Sequence, residues 1–402
     1  MNSEMPMPLT GIRVLDASTI LAGPLCCRIL GDYGADVIKI ESPGAGDSMR
    51  GHGHDVDGVS LWWKEISRNK RTVGIDLRTK GGAEMFRKLA SVSDVIVENF
   101  RPGTLERWNL SPQSLREVNP GLVVLRLTGF GQSGPYSSRP GFGTLAEAMS
   151  GFAHMTGEQD GPPTLPSFGL ADSICAMAGV SAILMALRYR DLVSRVGQDI
   201  DLNILEPILT AVGPAPSVYH HTGVIEGRHG NRSTNNAPRN TYLTRDGYWV
   251  AVSASALNVA KRVMELVGHP DIAKEPWFAT GRGRVEHVDL IDKLVGGWIS
   301  THDRDDVLKA FEKAEAAIAP VLDAKGIVED PHIRATEMLV EVPDQDLGTV
   351  LMHNVLWKMS DTPGQIRFTG RKLGQDTKEI LCTELGFTDE EFDNLVAEGA
   401  IG

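Results

Sequence analysis

Four cysteines in a chain of 402 residues are too few, and too badly spaced, to indicate a disulfide framework or a structural zinc site. Cys26 and Cys27 are adjacent, while Cys175 and Cys382 lie far away in apolar helical patterns. We therefore predict buried free thiols in a reducing compartment and no metal site.

Long apolar runs and a leader sequence are also missing. No stretch approaches the roughly 18 uninterrupted apolar residues of a membrane span. The N-terminus MNSEMPMPLTGIRVLD lacks a basic region followed by an apolar core. These absences predict a cytoplasmic protein with no membrane partner.

An excess of positive charge is absent as well. The formal net charge is −12 and the isoelectric point is near 5.4, whereas nucleic acids and anionic membranes require a broad positive field. An anionic ligand must therefore meet a local basic cluster. With 42% hydrophobic and 23% charged residues, the chain has an ordinary globular composition and is long enough for two domains.

Short apolar strands alternate with helical segments at the start of the chain. The strand-like segments are IRVLDAS, DVIKIES, RTVGIDL, DVIVENF and GLVVLRLTGF, and the helical ones include GPLCCRILGDYGA, KGGAEMFRKLASVS and SPQSLREVN. Because strands joined by helix-length crossovers cannot be hairpin partners, this alternation predicts an α/β domain with a mostly parallel sheet covered by helices.

Later segments predict further helices and a second domain. The segments TLAEAMSGF and SICAMAGVSAILMALRYRD read as helices, and the second is apolar on nearly every side, which predicts burial. A stretch rich in Gly, His, Arg and Asn marks a linker near residues 222–240, followed by a strand pair around Asp246-Gly247 and by amphipathic helices. The pattern leaves open whether the tail from about Glu329 is a third unit or returns to the first domain.

Residues Gly129–Gly134 match the G-x-G-x-x-G dinucleotide fingerprint letter for letter. That fingerprint works because its last glycine opens a helix whose N-terminus holds a pyrophosphate. Here PYSSRPGFG follows, with two prolines and no helical period. We therefore interpret the motif as a turn and not as an NAD site.

Basic residues cluster beside the predicted ends of two strands. They are Arg68, Lys70, Arg71 and Arg78 in SRNKRTVGIDLR, and Arg101 and Arg107 in ENFRPGTLER. Ligands of open α/β sheets bind beyond the carboxyl ends of the strands, where Asn99, Phe100 and Arg101 directly follow DVIVE. The clusters are compatible with an anionic nucleotide and equally with a solvated surface.

Few other side chains indicate catalysis. His154 and the pair His220-His221 have no carboxylate or second ligand at a recognisable spacing, and no G-x-S-x-G elbow or Cys/His arrangement occurs.

Asp172, at the start of the long apolar helix, has two compatible interpretations. As an N-cap it would accept backbone hydrogen bonds at the positive end of the helix dipole, which favours the ionised form. A carboxylate that stays ionised can also attack an acyl carbon and form a mixed anhydride.

Six segments, taken in order, resemble the class III CoA-transferase family, which includes formyl-CoA and carnitine CoA-transferases. They are LTGIRVLDASTILAGPLCCRILGDYGADVIKIESPGAGD, NKRTVGIDLRT, VIVENFRPGTLER, LTGFGQSGPYSSRPGF, TGEQDGPPTLPSFGLADS and APRNTYLTRDGYW, and the tail pattern FTGRKLGQDT extends the resemblance over nearly the whole chain. Any one of these motifs would be weak, whereas six in order are specific.

The resemblance implies a function and an architecture. Asp172 would be the nucleophile that carries the acyl group as an anhydride and then CoA as a thioester, which a carboxylic acid acceptor attacks. CoA would be a substrate, with no permanently bound cofactor, held by Leu21, Ala22, Ile75, Arg78, Asn99, Phe100, Arg101 and Arg107. The family's architecture implies a Rossmann-like large domain over residues 1–222, a small domain over 223–328, a return to the large domain over 329–402, and an interlocked homodimer.

Three positions depart from formyl-CoA transferase. Leu21 replaces a glutamine, Ser42 an arginine, and Ser253-Ala254-Ser255-Ala256 a glycine-rich lid. The departures argue against formate and oxalate and favour a larger acyl group. The donor that we predict is succinyl-CoA or another dicarboxylyl-CoA.

Two other functions remain as alternatives. The 2-methylacyl-CoA racemases of the same superfamily need two positioned bases, and they carry a His-Asp pair where this chain reads Gly141-Phe142-Gly143. The chain could also be a catalytically silent CoA-binding protein.

Overall fold

A computed structural model of the chain describes residues 6–402, so the first five residues of the predicted large domain lie outside the description. The chain divides into two compact units. The first runs through Phe152 and adds Pro166–Gly213 and Arg334–Gly402, and the second comprises Ala153–Leu165 and Pro214–Ile333. The boundaries at 222/223 and 328/329 stay predictions.

The strands, in chain order, are β1 Arg13–Asp16, β2 Asp36–Glu41, β3 Asp55–Val56, β4 Val59–Ser60, β5 Lys70–Gly74, β6 Val95–Glu98, β7 Val123–Thr128, β8 Asp199–Asn203, β9 Arg239–Leu243, β10 Trp249–Ser253, β11 Ile318–Pro320, β12 Leu339–Asp344 and β13 Gly348–His353.

The α-helices are α1 Ala22–Asp32, α2 Leu61–Ile66, α3 Lys80–Ser91, α4 Thr104–Arg107, α5 Pro112–Val118, α6 Gly143–Met149, α7 Phe152–Met155, α8 Leu170–Tyr189, α9 Leu205–Ala211, α10 Ala215–Thr222, α11 Leu257–Leu266, α12 Gly281–Glu286, α13 Val288–Ile299, α14 Arg304–Lys313, α15 Ala324–Glu329, α16 Pro331–Ala335 and α17 Asp389–Ala397. Short 3₁₀ turns cover Ser48–Gly51, Ile272–Lys274 and Pro276–Ala279, and π-helical turns cover Arg190–Ser194 and Glu379–Glu384.

A six-stranded parallel sheet forms the centre of the first unit, in the order β5-β2-β1-β6-β7-β8. Counted within the sheet alone, this is the 3-2-1-4-5-6 order of the Rossmann fold. The predicted parallel α/β fold is therefore confirmed. The sequence analysis missed β8, whose polar sequence DIDLN lacks the apolar run of a buried strand and lies at the sheet edge.

Both faces of this sheet are buried. Neighbouring residues of a strand point to opposite faces, and each face packs in its own hydrophobic cluster. Ile38 and Ile96 pack with Phe86 of α3 in one hydrophobic cluster. Val37 and Val95, each the preceding residue, pack in a second cluster with residues of α1 and α8. This arrangement explains the near-continuous apolar strands of the sequence.

Helix α8 is only half buried, so the prediction of a fully buried helix is wrong. Its inner face packs Ala176, Val180 and Ile183 into the core, while Met185 on the opposite face is 68% exposed. By length and composition alone, Leu170–Ser194 could cross a membrane, with a mean hydropathy of 1.9. Core helices of water-soluble proteins share that property, and the packed inner face is typical of them.

Most of the basic cluster near β5 is internal, which neither sequence interpretation anticipated. Arg68 and Lys70 are fully buried. Arg68 binds Asp32 at 2.7 Å, and Arg71 pairs with Asp36 and Glu384. These side chains are neither a solvated surface nor free for a ligand, because each charge is matched by a carboxylate within the fold.

A buried ion-pair network lies beneath the carboxyl ends of β1 and β2. Asp16 binds Lys70 at 2.8 Å and lies 3.8 Å from Lys39, which also binds Asp47 at 2.9 Å. Burial alone would raise the pKa of Asp16, but the two lysines lower it below its ordinary value. The Asp47 carboxylate also accepts the backbone N–H of Ile20 at 3.2 Å.

Ile20 has a φ of +70°, a conformation that is strained for a β-branched residue. The hydrogen bond to Asp47 holds this residue in place. The buried network therefore fixes the loop that follows β1.

The second unit contains a three-stranded antiparallel sheet in the order β11-β10-β9. The predicted strand pair around Asp246-Gly247 is confirmed as β9 and β10. Tyr242, Val250 and Val252 of these strands pack with Val295 and Phe311 from two of its helices. The phenol of Tyr242 donates to Asp292 at 2.6 Å.

We expect Lys70→Met to destabilise the fold strongly, because among the described residues it leaves the more distant Lys39 as the one cation paired with the buried Asp16 carboxylate. The free energy of unfolding should fall by about 3 kcal/mol in urea denaturation. Lys378→Met is the matched control, since Lys378 and its partner Asp389 are both exposed and the pair should contribute little. Equal stabilities for the two variants would contradict a structural role for the buried network.

Candidate active site

The candidate site lies where the loops after β1 and β6 diverge from the sheet. Strand order reverses between these two neighbours, and such switch points open a crevice at the carboxyl ends of the strands. Asn99 links the two loops, because its carbonyl accepts the N–H of Thr19 at 2.9 Å and its amide donates to the Thr19 carbonyl at 2.8 Å.

A cavity of about 280 Å³ occupies this crevice, and we call it the Asp172 cavity. Its walls come from the loops after β1, β6 and β7 and from the start of α8. The lining residues are Thr19, Ile20, Leu21, Ala22, Asn99, Phe100, Arg101, Pro102, Leu127, Thr128, Gly129, Ser137, Arg139, Pro140, Gly141, Phe142, Asp172 and Ile204.

Asp172 does not cap its helix, so the N-cap prediction is wrong. The N-cap of α8 is Gly169, and Asp172 is the third helical residue. The buried carboxylate of Glu147, from α6, instead accepts the backbone N–H of Ala171 at 3.2 Å. With this cap supplied by another helix, Asp172 lies in the wall of the cavity.

The direction of the Asp172 pKa shift also differs from the expectation. Burial raises its pKa, and the nearby Glu147 carboxylate raises it further, to about 6. The hydrogen bond from its own backbone N–H opposes this shift only in part. The sequence analysis expected cap hydrogen bonds to favour the charged form and could not place Glu147 beside it.

Gly143 provides the space that the Asp172 carboxylate occupies. A Cβ at this position would lie 2.0 Å from Asp172 Oδ2. Because real Cβ atoms do not approach another heavy atom so closely, any larger residue at 143 must displace the carboxylate.

Two further cavities adjoin the first through shared residues. The Ile75 cavity, of about 230 Å³, shares Thr19 and Phe100 with the Asp172 cavity. The Arg107 cavity, of about 350 Å³, shares Leu77, Arg78 and Trp108 with the Ile75 cavity.

All nine predicted site residues line this row of cavities. Leu21, Ala22, Asn99, Phe100, Arg101 and Asp172 line the Asp172 cavity, Ile75, Arg78 and Phe100 line the Ile75 cavity, and Arg78 and Arg107 line the Arg107 cavity. Ser42, one of the positions that depart from formyl-CoA transferase, lines the Ile75 cavity.

The arginines of the row differ in how strongly they are engaged. Arg78 forms two hydrogen bonds of 2.8 Å with Asp76 but remains 68% exposed. Within residues 6–402, the Arg107 guanidinium donates one hydrogen bond, to Thr104 Oγ1 at 2.9 Å. Arg101 is exposed and has no ion pair among residues 6–402. Guanidinium groups with free N–H donors suit phosphate oxygens.

The sequence analysis missed three residues at the Asp172 cavity or beside Asp172, namely Arg139, Gly143 and Glu147. Two prolines and several glycines around Arg139 and Gly143 gave a correct turn prediction but no sign of a site. Strand β8 and the contact between α6 and α8 bring these residues together. Neither can be predicted from the local sequence pattern.

The histidines considered as candidates lie elsewhere. His154 and the pair His220-His221 are exposed and belong to the second compact unit. In the part of the chain that the structure describes, no group of three or more His, Cys, Asp or Glu residues could hold a metal ion. Cys26, Cys27 and Cys175 are buried free thiols, as predicted, and Cys382 is only partly buried.

The arrangement combines one carboxylate with a row of cationic and aromatic side chains. Within the described residues, Arg101, Arg139 and Asp172 supply all the charged side chains of the Asp172 cavity wall. This wall contains no pair of general bases. It can bind an extended anion along the row and present the Asp172 carboxylate to one end of it.

Comparison with known proteins identifies the family of the chain. Residues 9–377 match the model of CoA-transferase family III. The chain is 40% identical over 397 residues to a succinyl-CoA–D-citramalate CoA-transferase of Chloroflexus aurantiacus, covering 98% of each chain. It is 39% identical to the beta subunit of a succinyl-CoA–L-malate CoA-transferase of the same organism, again covering 98% of each chain.

A solved structure shares the fold. The chain superimposes on a CAIB/BAIF family protein from Brucella suis with a TM-score of 0.83 and 30% sequence identity, covering 94% of this chain and 100% of that one. The chain therefore belongs to CoA-transferase family III and is a CoA-transferase.

Proposed function

We propose that the enzyme moves CoA from succinyl-CoA to a carboxylic acid acceptor, with Asp172 as the covalent nucleophile. The observation that carries this proposal is the position of the Asp172 carboxylate, which forms part of a cavity wall beside a row of basic and aromatic side chains. The reaction is a sequence of acyl transfers in which carboxylate and thiolate exchange roles as nucleophile and leaving group.

The first half of the reaction transfers CoA to the protein. The Asp172 carboxylate attacks the thioester carbonyl of the donor, the C–S bond breaks, and a mixed anhydride forms while CoA leaves as a thiolate. The thiolate then attacks the Asp172 carbonyl of the anhydride. The donor acid departs as a carboxylate, and Asp172 carries CoA as a thioester.

The second half runs the same steps in reverse with another acid. The acceptor carboxylate attacks the Asp172 thioester and releases the thiolate, which attacks the acceptor carbonyl of the new anhydride. An acyl-CoA leaves and the Asp172 carboxylate is restored. No step requires a general base, which accords with the absence of a base pair in the described cavity wall.

CoA would extend along the row of cavities. Arg78, Arg101 and Arg107 supply cations for its phosphates, and Phe100 and Trp108 offer aromatic faces, with ring centroids 5.1 Å apart, for its base. Leu21, Ala22, Ile75 and Asn99 complete the binding surface. CoA is then a substrate, and the proposal includes no permanently bound cofactor.

Succinyl-CoA is the preferred donor because the two relatives from Chloroflexus aurantiacus are named for it. Leu21 lies against Gly169, where a Cβ would come 2.3 Å from its Cδ2. This apolar contact beside Asp172 is compatible with the alkyl part of an acyl chain. We further propose a cytoplasmic enzyme, since its substrates are metabolites.

We also propose that the enzyme is a homodimer. Met185, Leu192 and Val193 on the outer side of α8 and its π-helical extension are each 65% exposed or more. Large apolar side chains exposed to this degree on one helical segment are typical of an interface. A second copy of the chain would cover them.

Asp172→Asn should lower CoA exchange between acids by at least about 1,000-fold, because an amide cannot form the anhydride. In the wild type, incubation with acyl-CoA and hydroxylamine should convert Asp172 to a hydroxamate, detected by peptide mass spectrometry. With an ¹⁸O-labelled acceptor acid, one labelled oxygen should enter Asp172 during turnover.

Asp191→Asn provides the matched control, since Asp191 lies beyond the other end of α8 and pairs with Arg190 at the surface. It should retain wild-type exchange. Full activity of Asp172→Asn, or ¹⁸O label that never reaches Asp172, would refute the assignment of Asp172 as the nucleophile. Deuterium uptake at the α-carbon of a 2-methylacyl-CoA without CoA exchange would instead indicate a racemase.

Asp172→Asn should stabilise the protein at pH 8. The folded pKa of Asp172 is about 6, above the value of 3.8 that it has when unfolded. Its contribution to stability is therefore fully present below pH 3.8 and is lost as the pH rises through about 6. Removal of the buried charge should add up to about 2 kcal/mol at pH 8, after allowance for solvent screening.

Thermal unfolding of the wild type and Asp172→Asn, measured at pH 8 and at pH 4, checks this expectation. The variant should have the higher midpoint at pH 8, and the two midpoints should converge at pH 4. A variant that is less stable at pH 8 would show that the charged carboxylate stabilises the fold, contrary to its burial beside Glu147.

Met185→Glu should weaken the homodimer, because the substitution places a charge on the apolar face of α8. Analytical ultracentrifugation of the wild type should give twice the chain mass, and the variant should dissociate at higher concentration. Val92→Glu serves as the control, since Val92 is an exposed apolar residue at the end of α3. A monomeric wild type, or a Met185→Glu dimer as tight as the wild type, would contradict this interface.

A further inference from the structure

Arg139 is the one cationic residue of the Asp172 cavity wall, among those described, that the proposed CoA site leaves without a role. Its side chain is exposed, and its guanidinium has no hydrogen-bond or ion-pair partner among residues 6–402. An arginine without a carboxylate partner in a cavity wall has all its N–H donors available for a ligand.

The Arg139 guanidinium is nevertheless held in position. It stacks on the ring of Tyr136 at 3.7 Å, and Tyr136 packs edge to face against Phe130 with ring centroids 5.9 Å apart. Stacking fixes the plane of a guanidinium and leaves its edge free for two parallel hydrogen bonds to a carboxylate.

The loop that carries Arg139 is closed on itself. A Cβ on Gly129 would lie 2.5 Å from the Gly141 Cα, so the backbones at the two ends of the loop touch. The N–H of Gln132 donates to Asp201 of β8, and the N–H of Arg139 donates to the Tyr136 carbonyl at 2.8 Å. Such a loop presents a preorganised side chain.

The location of Arg139 relative to the sheet sets it apart from the CoA-binding arginines. The Ile75 and Arg107 cavities are lined from the loops after β1, β2, β5 and β6, whereas Arg139 lies on the loop after β7. With CoA along those cavities and its thioester at Asp172, the acyl group would extend into the part of the Asp172 cavity that the β7 loop lines.

The chemistry of that part suits a short acid with a charged end. Leu21, Phe142 and Ile204 provide apolar lining, and Arg139 adds a single cation. While Asp172 is converted to an anhydride or a thioester, its negative charge is lost and the cavity has an excess of positive charge. A second carboxylate on the substrate would restore neutrality.

We propose that Arg139 is the specificity residue that binds the distal carboxylate of dicarboxylic acids, both in the acyl group of the donor and in the acceptor. This assignment rests on the proposed function, in which donor and acceptor acids occupy the same cavity in turn. Monocarboxylic acids of the same length would lack this contact.

Isotope exchange between an acid and its own CoA thioester tests the assignment without knowledge of the natural acceptor. Labelled succinate with succinyl-CoA is compared with labelled butyrate and butyryl-CoA, which replace the distal carboxylate by a methyl group. Arg139→Gln should lower kcat/KM for succinate exchange by roughly 10- to 100-fold and change butyrate exchange less than about threefold. Arg139→Lys should lower kcat/KM for succinate exchange less than Arg139→Gln does, because lysine retains the positive charge.

Arg101→Gln is the comparison variant, since Arg101 is assigned to CoA, which both reactions share. It should lower the two exchange rates by similar factors. Equal losses for both acids in Arg139→Gln, no loss for either, or a wild type that prefers butyrate would each overturn the assignment.

The failure of this assignment can be distinguished from the failure of the proposed function. If ¹⁸O from labelled acid enters Asp172 while Arg139→Gln lowers the exchange of both acids equally, Asp172 is supported as the nucleophile and the role of Arg139 is refuted. If the label never enters Asp172 while selectivity for succinate still depends on Arg139, the assignment of Asp172 as the nucleophile is refuted and Arg139 remains the specificity residue.

Discussion

The buried pairing of two lysines with two aspartates is the interaction on which the site depends. Lys39 and Lys70 hold Asp16 and Asp47 within the fold, and Asp47 in turn binds the N–H of Ile20. Removing four charges from water is costly, and only mutual pairing offsets that cost. The paired Asp47 holds the loop after β1, in which Ile20 has a strained conformation. Ile20 lies next to Leu21 and Asn99 in the cavity wall. This part of the Asp172 cavity wall is therefore held by interactions of the buried core.

The environment of Asp172 reflects a compromise between stability and chemistry. Burial and the Glu147 carboxylate disfavour its charge, although the nucleophilic role that we propose for Asp172 requires the charged form. A poorly solvated carboxylate is a stronger nucleophile than a solvated one, because less solvent must be displaced in the transition state. Glu147 also caps the first turn of α8. One side chain thus holds the helix in place and raises the free energy of the ionised ground state.

The parallel sheet could be predicted because its strands are buried on both faces and read as apolar runs with helical crossovers between them. Strand β8 could not, because DIDLN owes its place to pairing with β7 and not to its own hydrophobicity. The sequence placed Asp172 at the start of α8, yet the predicted N-cap role was wrong because Glu147, distant in sequence, accepts the N–H of Ala171 instead. Arg68 and Lys70 were predicted to face either a ligand or solvent, since their partners Asp32 and Asp16 are distant in sequence. Local pattern predicts elements well, whereas the charge state of a side chain depends on its partners in space.

The glycine motif after β7 shows how the residues that follow a motif decide its use. Its spacing is that of a dinucleotide fingerprint, but no helix begins at Gly134, so no helix dipole is available for a pyrophosphate. The glycines instead permit close backbone contact, since Gly129 meets Gly141 and closes the loop. The prolines that exclude a helix make the loop rigid, and rigidity is what a residue such as Arg139 needs to select one acid over another. In the function that we propose, this sheet edge binds the nucleotide part of CoA through loops other than the glycine-rich one, and the glycine-rich loop contacts the acyl group.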